Sequence, residues 1–491
     1  MNYPIIFKLL SVIMSTLGMA FLASVGAGFL FGDTVQEQDV LNGWFISIGI
    51  ALGLAALFLL LGRNAENKIF RKEALCLIGL GWIIASAVGA FPYVTILENC
   101  SFADAVFEST SGLTTTGAST FPAFEHYPKS LLFWRCLSQW IGGLGVVVFF
   151  VAILSFLGAG AKILFSNESS GHSTEIESGR IQDGVFKIML LYLGLSLACA
   201  LAYHICGMSI YDAVCHMFAT VSTGGFSTYE QSIAAFNSPL IEWVTIVFMM
   251  LGGTSFFVMI KVFHGHFSAL TENTEVIVYY FIILATTLLM SELVALQKHD
   301  NEFHHAIRVG AFQVVSIMTT TGFSTANFET WQPASKLIIL CLMFLGGCSG
   351  STAGGAKIIR FVVAIKMMLV NIERSFRSRV VRPIHINGKS LDKADLDNLL
   401  NYLVLLIIIT FFSLPIIALL DPELSIETTL GAMLGTLYNV GPGLGDVGPA
   451  HNYAFLNDST KYFLSLLMVM GRLELYAVIV LFSPSLWKKF S

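Results

Sequence analysis

Charge is what this sequence is short of: Asp, Glu, Lys and Arg together make up 12% of its 491 residues, against 55% hydrophobic residues. With a mean hydropathy of +0.75, it has too little polar surface to clothe a soluble globule, and the apolar excess calls for lipid as a solvent. Net basic charge is absent as well. The balance is -5 with a pI near 6.1, which removes any reason to expect a nucleic acid partner.

Paired thiols are also missing. The cysteines Cys76, Cys100, Cys136, Cys199, Cys206, Cys215, Cys341 and Cys348 show no CxxC spacing, and most lie in apolar stretches where Cys behaves as a small hydrophobe, so neither a disulfide framework nor a zinc site is expected. His304 and His305 lack a third ligand at metal-site spacing. There is no HExxH and no nucleophile and base pair in any apolar stretch, which argues against an enzyme. No small-residue cleavage site precedes Asp33, so the first apolar run is read as a retained span rather than a signal peptide.

Long apolar runs, by contrast, are abundant. Stretches long enough to cross a bilayer begin near Tyr3, Trp44, Ala74, Leu131, Val185, Ile241, Val276, Lys336, Leu399 and Tyr462, about ten spans in all. Basic residues sort to one side of them. Arg63, Lys68, Arg71 and Lys72 follow the second span, Lys162 and Arg180 the fourth, and Lys261 ends the sixth. Lys357, Arg360, Lys366, Arg374, Arg377, Arg379, Arg382, Lys389 and Lys393 follow the eighth, with Lys488 and Lys489 after the tenth. By the positive-inside rule both termini are expected to be cytoplasmic, in a multi-pass membrane protein.

Each opposite loop carries a segment too short to span and then a string rich in Thr and Gly, which has the form of a re-entrant hairpin. Phe102 to Leu113 leads into Thr114-Thr115-Thr116-Gly117, and Ile210 to Thr220 into Val221-Ser222-Thr223-Gly224-Gly225. His305 to Met318 leads into Thr319-Thr320-Thr321-Gly322, and Ile426 to Tyr438 into Asn439-Val440-Gly441-Pro442-Gly443. A small-residue patch follows in the next span each time: Gly142-Gly143, Gly252-Gly253, Gly346-Gly347 and Gly471. Four units of span, half-helix, string and span therefore recur, each roughly a hundred residues long. The expected division is 1–68 for two extra N-terminal spans, then 69–160, 161–270, 271–395 and 396–491 for the repeats.

Such strings suit a dehydrating cation. Backbone carbonyls replace the hydration shell, and glycine permits the dihedral that turns them toward one axis. Carbonyl ends of the short helices add partial negative charge, and Asp104, Asp212 and Glu427 near the helix starts would draw cations to the mouth. The candidate cation ligands are Thr115, Thr116, Gly117, Ser222, Thr223, Gly224, Thr320, Thr321, Gly322, Asn439, Val440 and Gly441. A packing surface of small residues is the plainer reading of any one string; four at repeat-equivalent places favour a pore.

The eighth span is overlong and is interrupted at 345–356, where Gly346, Gly347, Ser349, Gly350, Gly354 and Gly355 hold a helix poorly. Irregular backbone at that depth is tolerated only against protein or a water-filled cavity, so the segment is expected to lie across the path beneath the strings. Arg472, near the middle of the tenth span, should bond carbonyls of that loop and act as an electrostatic barrier. Glu474 does not share its face.

With Gly117, Gly224, Gly322 and Gly441 at matching places, the four strings resemble the filters of the Trk/Ktr/HKT superfamily of cation transporters, most closely the bacterial TrkH/TrkG potassium-uptake branch. The resemblance covers essentially the whole chain. It implies an all-α membrane fold, two N-terminal spans plus four repeats of outer helix, pore helix and inner helix around a pseudo-fourfold pore. It also implies potassium as the transported ion, a homodimer, and a TrkA-type cytosolic regulatory ring that supplies the nucleotide. A glycine in the first filter goes with potassium in this superfamily and a serine with sodium, so Gly117 favours potassium over a sodium-selective relative. A secondary transporter of an organic solute is the competing class; it predicts two inverted halves, where here all four strings lie on one side.

Overall fold

The computed structural model describes residues 1–32, 38–65, 70–122, 124–156, 178–298, 303–377 and 382–487. Lys68, Lys162, Arg379, Lys488 and Lys489, used above for sidedness, lie outside the described residues, as do the domain limits at 68, 69, 160 and 161. The chain is built almost wholly of helices. α1 (Tyr3–Leu30) and α2 (Gln38–Leu61) form an antiparallel pair that stands apart from the repeats in sequence and packs against the first of them. Pro4 in the first turn of α1 costs nothing there, because the N–H it lacks would have no intrahelical partner.

The first repeat comprises α3 (Arg71–Gly89), continued by α4 (Phe91–Ile96), the short α5 (Phe102–Leu113) and the long α6 (Lys129–Phe156). The second contains α7 (Ser178–Ile205), α8 (Ile210–Val221) and the pair α9 (Pro239–Gly253) and α10 (Phe256–Phe263), with α11 (Ser268–Glu272) as a connection. In the third come α12 (Thr274–Lys298), α13 (Phe303–Met318), α14 (Pro333–Leu345) and α15 (Ile358–Phe376). A two-residue hairpin, β1 (His385–Ile386) with β2 (Lys389–Ser390), follows and packs on α15 through Ile384, Ile386, Leu391 and Val363. The fourth holds α16 (Lys393–Leu420), α17 (Ile426–Leu437), α18 (Asp458–Arg472) and α19 (Tyr476–Ile479), and α20 (Pro484–Trp487) closes the described chain.

Six of these helices, counting α3 and α4 as one, are long and apolar enough to cross a membrane, and two bent pairs raise the number to eight. Leu60, Leu190, Leu197, Phe281, Phe411 and Leu419 stand exposed on the peripheral helices, where an aqueous surface would penalise them and lipid would not. Trp44, Trp134, Tyr203, Phe256 and Phe312 fill the single large core at the centre.

Three of the short helices start by a common device. Ser101 Oγ accepts from Asp104 N (3.1 Å), Ser209 Oγ from Asp212 N (3.0 Å) and Ser425 Oγ from Thr428 N (3.0 Å). Each serine thus satisfies one of the N–H groups a helix start leaves open, worth about 1 kcal/mol apiece. At 12 residues, α5, α8 and α17 are too short to span.

The inner helices differ from the sequence expectation, which confined interruption to the third repeat. α9 and α10 meet at 104° across Thr254 and Ser255, and α18 and the helical turns after it meet at 118° across Leu473 to Leu475. α6 alone runs unbroken among these inner helices. The reason is tertiary. The carbonyls freed at the α9 break are taken by the third-repeat loop, Gly253 O by Cys348 N (2.9 Å) and Gly252 O by Thr352 N (3.2 Å).

Candidate ion filter and gate

After each short helix the chain doubles back by the same backbone recipe. Thr116 N donates to Ser111 O (2.9 Å), Gly224 N to Ala219 O (2.8 Å), Thr321 N to Ser316 O (2.9 Å) and Val440 N to Gly435 O (2.9 Å). One residue before each of these donors, φ is positive at Thr115 (52°), Thr223 (53°), Thr320 (56°) and Asn439 (55°); one residue after, at Gly117 (83°), Gly225 (79°), Gly322 (80°) and Gly441 (95°). Non-glycine residues with positive φ are uncommon and strained. Four at equivalent places mark a built conformation. They also correct the alignment of the second string: Gly225, not Gly224, occupies the place of Gly117. The sequence could not separate two adjacent glycines, whereas the dihedrals do.

The four strings close into a ring. A Cβ on Gly117 would strike the carbonyl of Gly224, one on Gly225 that of Thr321, one on Gly322 that of Val440, and one on Gly441 that of Thr116 at 2.6 Å. Each glycine therefore abuts the residue that precedes the glycine of the next string, in the order first, second, third, fourth, first. Gly117, Gly225, Gly322 and Gly441 all line one cavity of about 110 Å³, whose wall is completed by the following loops through Ser119, Tyr229 and Asn452.

Hydroxyl groups brace the strings more than they project from them. Thr116 Oγ1 shares a hydrogen with Thr114 Oγ1 (2.8 Å) and Thr321 Oγ1 with Thr319 Oγ1 (2.7 Å), while Thr223 donates to the adjacent Ser222 O (2.7 Å). Asn439 Nδ2 reaches across the seam to Thr116 Oγ1 (2.8 Å). Thr115 Oγ1 is buried and makes no hydrogen bond to described residues.

Beneath the ring lies the segment between α14 and α15. Gly354 N donates to Thr320 Oγ1 (2.6 Å), and Thr352 Oγ1 donates to Val221 O (3.0 Å) at the end of α8 and to Gly252 O (3.0 Å). Arg472, 4% exposed, donates from Nη1 to Thr352 O (2.7 Å), a carbonyl of the loop as expected from sequence. Its Nε and Nη2 make no hydrogen bond to described residues. Gly346 (φ 76°), Gly350 (71°) and Gly355 (73°) supply the turns.

The remaining sequence expectations divide. Asp104 is paired with Lys461 (2.7 Å), Asp212 is buried and accepts from Thr228 Oγ1 (2.9 Å), and Glu427 meets Lys336 (3.2 Å). These carboxylates bind neighbouring elements rather than standing free at a mouth. Lys357, counted above with the cytoplasmic basic residues, is buried and bonds Ala353 O (2.8 Å) of the loop. Glu474 pairs with Arg360 of α15 (2.8 Å), whose guanidinium lies 3.8 Å from the Tyr402 ring centre. His304 and His305 join no metal-binding group among the described residues.

Several residues escaped sequence reasoning. Glu275 Oε1 accepts from Ser349 N (2.7 Å) within the loop and from Ile359 N (3.2 Å) in the first turn of α15, tying the two together. Arg135 forms a buried ion pair with Glu108 and lies between the rings of Phe124 (4.2 Å) and Phe226 (3.7 Å). Glu108 also accepts from Ser119 Oγ (3.0 Å) and Thr120 N (3.1 Å), fixing the loop after the first string. A charge inside an apolar stretch was the signal available for both.

The crystal structure of the potassium transporter TrkH from Vibrio parahaemolyticus superposes with a TM-score of 0.90 at 28% identity, covering 99% of this chain and all of that one. The Trk system potassium uptake protein TrkH of Halomonas elongata is 32% identical over the full length of both chains. Its namesake in Escherichia coli K12 is 33% identical over 90% of this chain and 91% of the relative. Both are named as potassium uptake proteins rather than enzymes. A family model described as TrkH, cation transport protein, matches residues 38–489, and the chain belongs to that family.

Proposed function

We propose that this protein takes up potassium across a bacterial inner membrane through a filter formed by the four strings. The observation that carries this is the ring: four strings of one backbone conformation meet in cyclic order around a cavity, with an irregular loop directly below. A potassium ion sheds water against the oxygens of Thr115, Thr116, Gly117, Thr223, Gly224, Gly225, Thr320, Thr321, Gly322, Asn439, Val440 and Gly441, Ser222 falling with Thr114 one place outside the ring. Negative ends of the four short helices favour the dehydrated cation. The chain crosses the membrane ten times, with both termini in the cytoplasm and the short helices re-entrant. Its repeats follow the division 69–160, 161–270, 271–395 and 396–491.

The loop at 345–356 is the gate, and Arg472 both pins it and opposes cations beneath the filter. Opening requires the loop to leave Thr320, Thr352 contacts and Arg472 together. A TrkA-type nucleotide-binding ring controls this step from the cytoplasm, and the protein works as a homodimer. The names of the relatives support the ion and the partner system.

Growth of a potassium-uptake-deficient bacterium at low potassium tests the proposal. The intact chain is expected to restore growth, and Gly117→Ser, whose side chain meets the Gly224 carbonyl at a positive φ, is expected to restore it poorly and admit sodium. Failure of the intact chain to restore growth, with solute uptake instead, would refute it.

A further inference from the structure

The second string departs from its neighbours at one place. The residue just before the ring glycine is Thr116, Thr321 or Val440 in the other strings, each with a fully buried side chain, but Gly224 here. Gly224 does not have positive φ, so its backbone makes no demand for glycine. What forbids a side chain is Gln139, on the inner helix of the preceding repeat: a Cβ at Gly224 would meet Oε1 at 2.6 Å and Nε2 at 2.7 Å.

Gln139 is fully buried, and its amide is used at both ends. Nε2 donates to Gly224 O (2.6 Å), and Oε1 accepts from Phe226 N (3.0 Å). One turn earlier on the same face, Arg135 Nη1 donates to Ser227 O (2.8 Å). The groups behind Gly224 are otherwise ready for a threonine. Ser222 Oγ donates to Phe218 O (2.6 Å) just as Thr114 donates to Thr110 O (2.7 Å) and Thr319 to Val315 O (2.7 Å). Those two threonines are the ones that share a hydrogen with Thr116 and Thr321.

We infer that Gln139 is a selectivity-determining positioning residue, whose amide stands in for the side chain that Gly224 lacks and holds the second string in register with the other three. It touches no ion and acts through the backbone on either side of Gly225. This rests on the filter proposed above. The first and third strings are braced from within by a threonine pair; the second is braced from without, by a neighbouring repeat.

The test is the ratio of potassium to sodium flux in proteoliposomes, with gel filtration of each purified variant as the folding control. Gln139→Met keeps the volume and removes both hydrogen bonds, so it should lower the ratio about tenfold, the scale of a buried polar group left unpaired. Gly224→Thr alone should lower it comparably through the clash. Gln139→Ala combined with Gly224→Thr rebuilds the brace of the first and third strings and should return the ratio to within about twofold of the intact protein, a difference below ~0.5 kcal/mol. A Gln139→Met ratio equal to that of the intact protein, or a double variant no better than Gly224→Thr, overturns the inference. An intact protein without preference for potassium removes the filter proposal itself, and this inference with it.

Discussion

Glu108 and Arg135 form the most completely buried charge pair among the described residues, with side-chain exposures of 0% and 3%. Removing one partner leaves the other uncompensated in a dry site, which costs about 3–5 kcal/mol. Arg135→Ala should therefore lower the thermal unfolding midpoint of the detergent-solubilised protein far more than Lys336→Ala, whose partners Glu329 and Glu427 lie near the surface. Equal midpoints for the two variants would mean the buried pair contributes no more than a solvated one. At this scale the sequence was legible where chemistry is local. Arg472 was expected on loop carbonyls and is found there, because a lone guanidinium in an apolar helix has few other acceptors. It was illegible where one residue type satisfies two registers, as at Gly224 and Gly225, and where charge was assigned by position in the chain, as for Lys357.

Helices show the same division. Bounds of the short helices follow from a serine cap and a hydroxyl-rich end, both sequence signals, and α5 begins and ends where the pattern places it. Bends in α9 and α18 carry no such signal: the carbonyls released at the first are taken by the loop from the third repeat, and the second is met by α15 through the Arg360 to Glu474 pair. Glu474 (φ 58°) and Leu475 (φ 61°) carry strained backbone at the second bend, and Glu474 is the residue that pairs with Arg360. That pair ties the bend below Arg472 to the helix that follows the loop. Arg472→Ala should raise basal potassium flux in vesicles several-fold without abolishing selectivity, because the filter strings keep their own braces. Unchanged flux would reduce the loop to a packing feature.

Across the whole molecule, each inner helix reaches forward to the next repeat. Lys129 of α6 lies over the Tyr211 ring of α8 (5.8 Å), Glu242 of α9 pairs with Arg308 of α13 (2.9 Å), Lys336 of α14 with Glu427 near the start of α17, and Lys461 of α18 with Asp104 of α5. The likeness of the four strings was legible in sequence; this forward handshake was not, because its partners differ from junction to junction, a lysine over a tyrosine ring, a glutamate with an arginine, and lysines with carboxylates. Three of the four junctions join consecutive repeats. The fourth, where Asn439 meets Thr116 and Tyr453 N meets Ser119 O (2.8 Å), joins the two ends of the series. A chain stopped after residue 391 should accordingly insert without carrying potassium, and co-expression with a fragment from residue 392 onward should restore growth at low potassium. Growth supported by the truncated chain alone would show that the last junction is dispensable.

That junction also sets an order of assembly. A ribosome must deliver nearly all of the chain before Thr116 can meet Asn439 and Ser119 can meet Tyr453. The first string is therefore made earliest and receives its last neighbour latest, and on the proposed function a chain cut short holds strings without a closed ring.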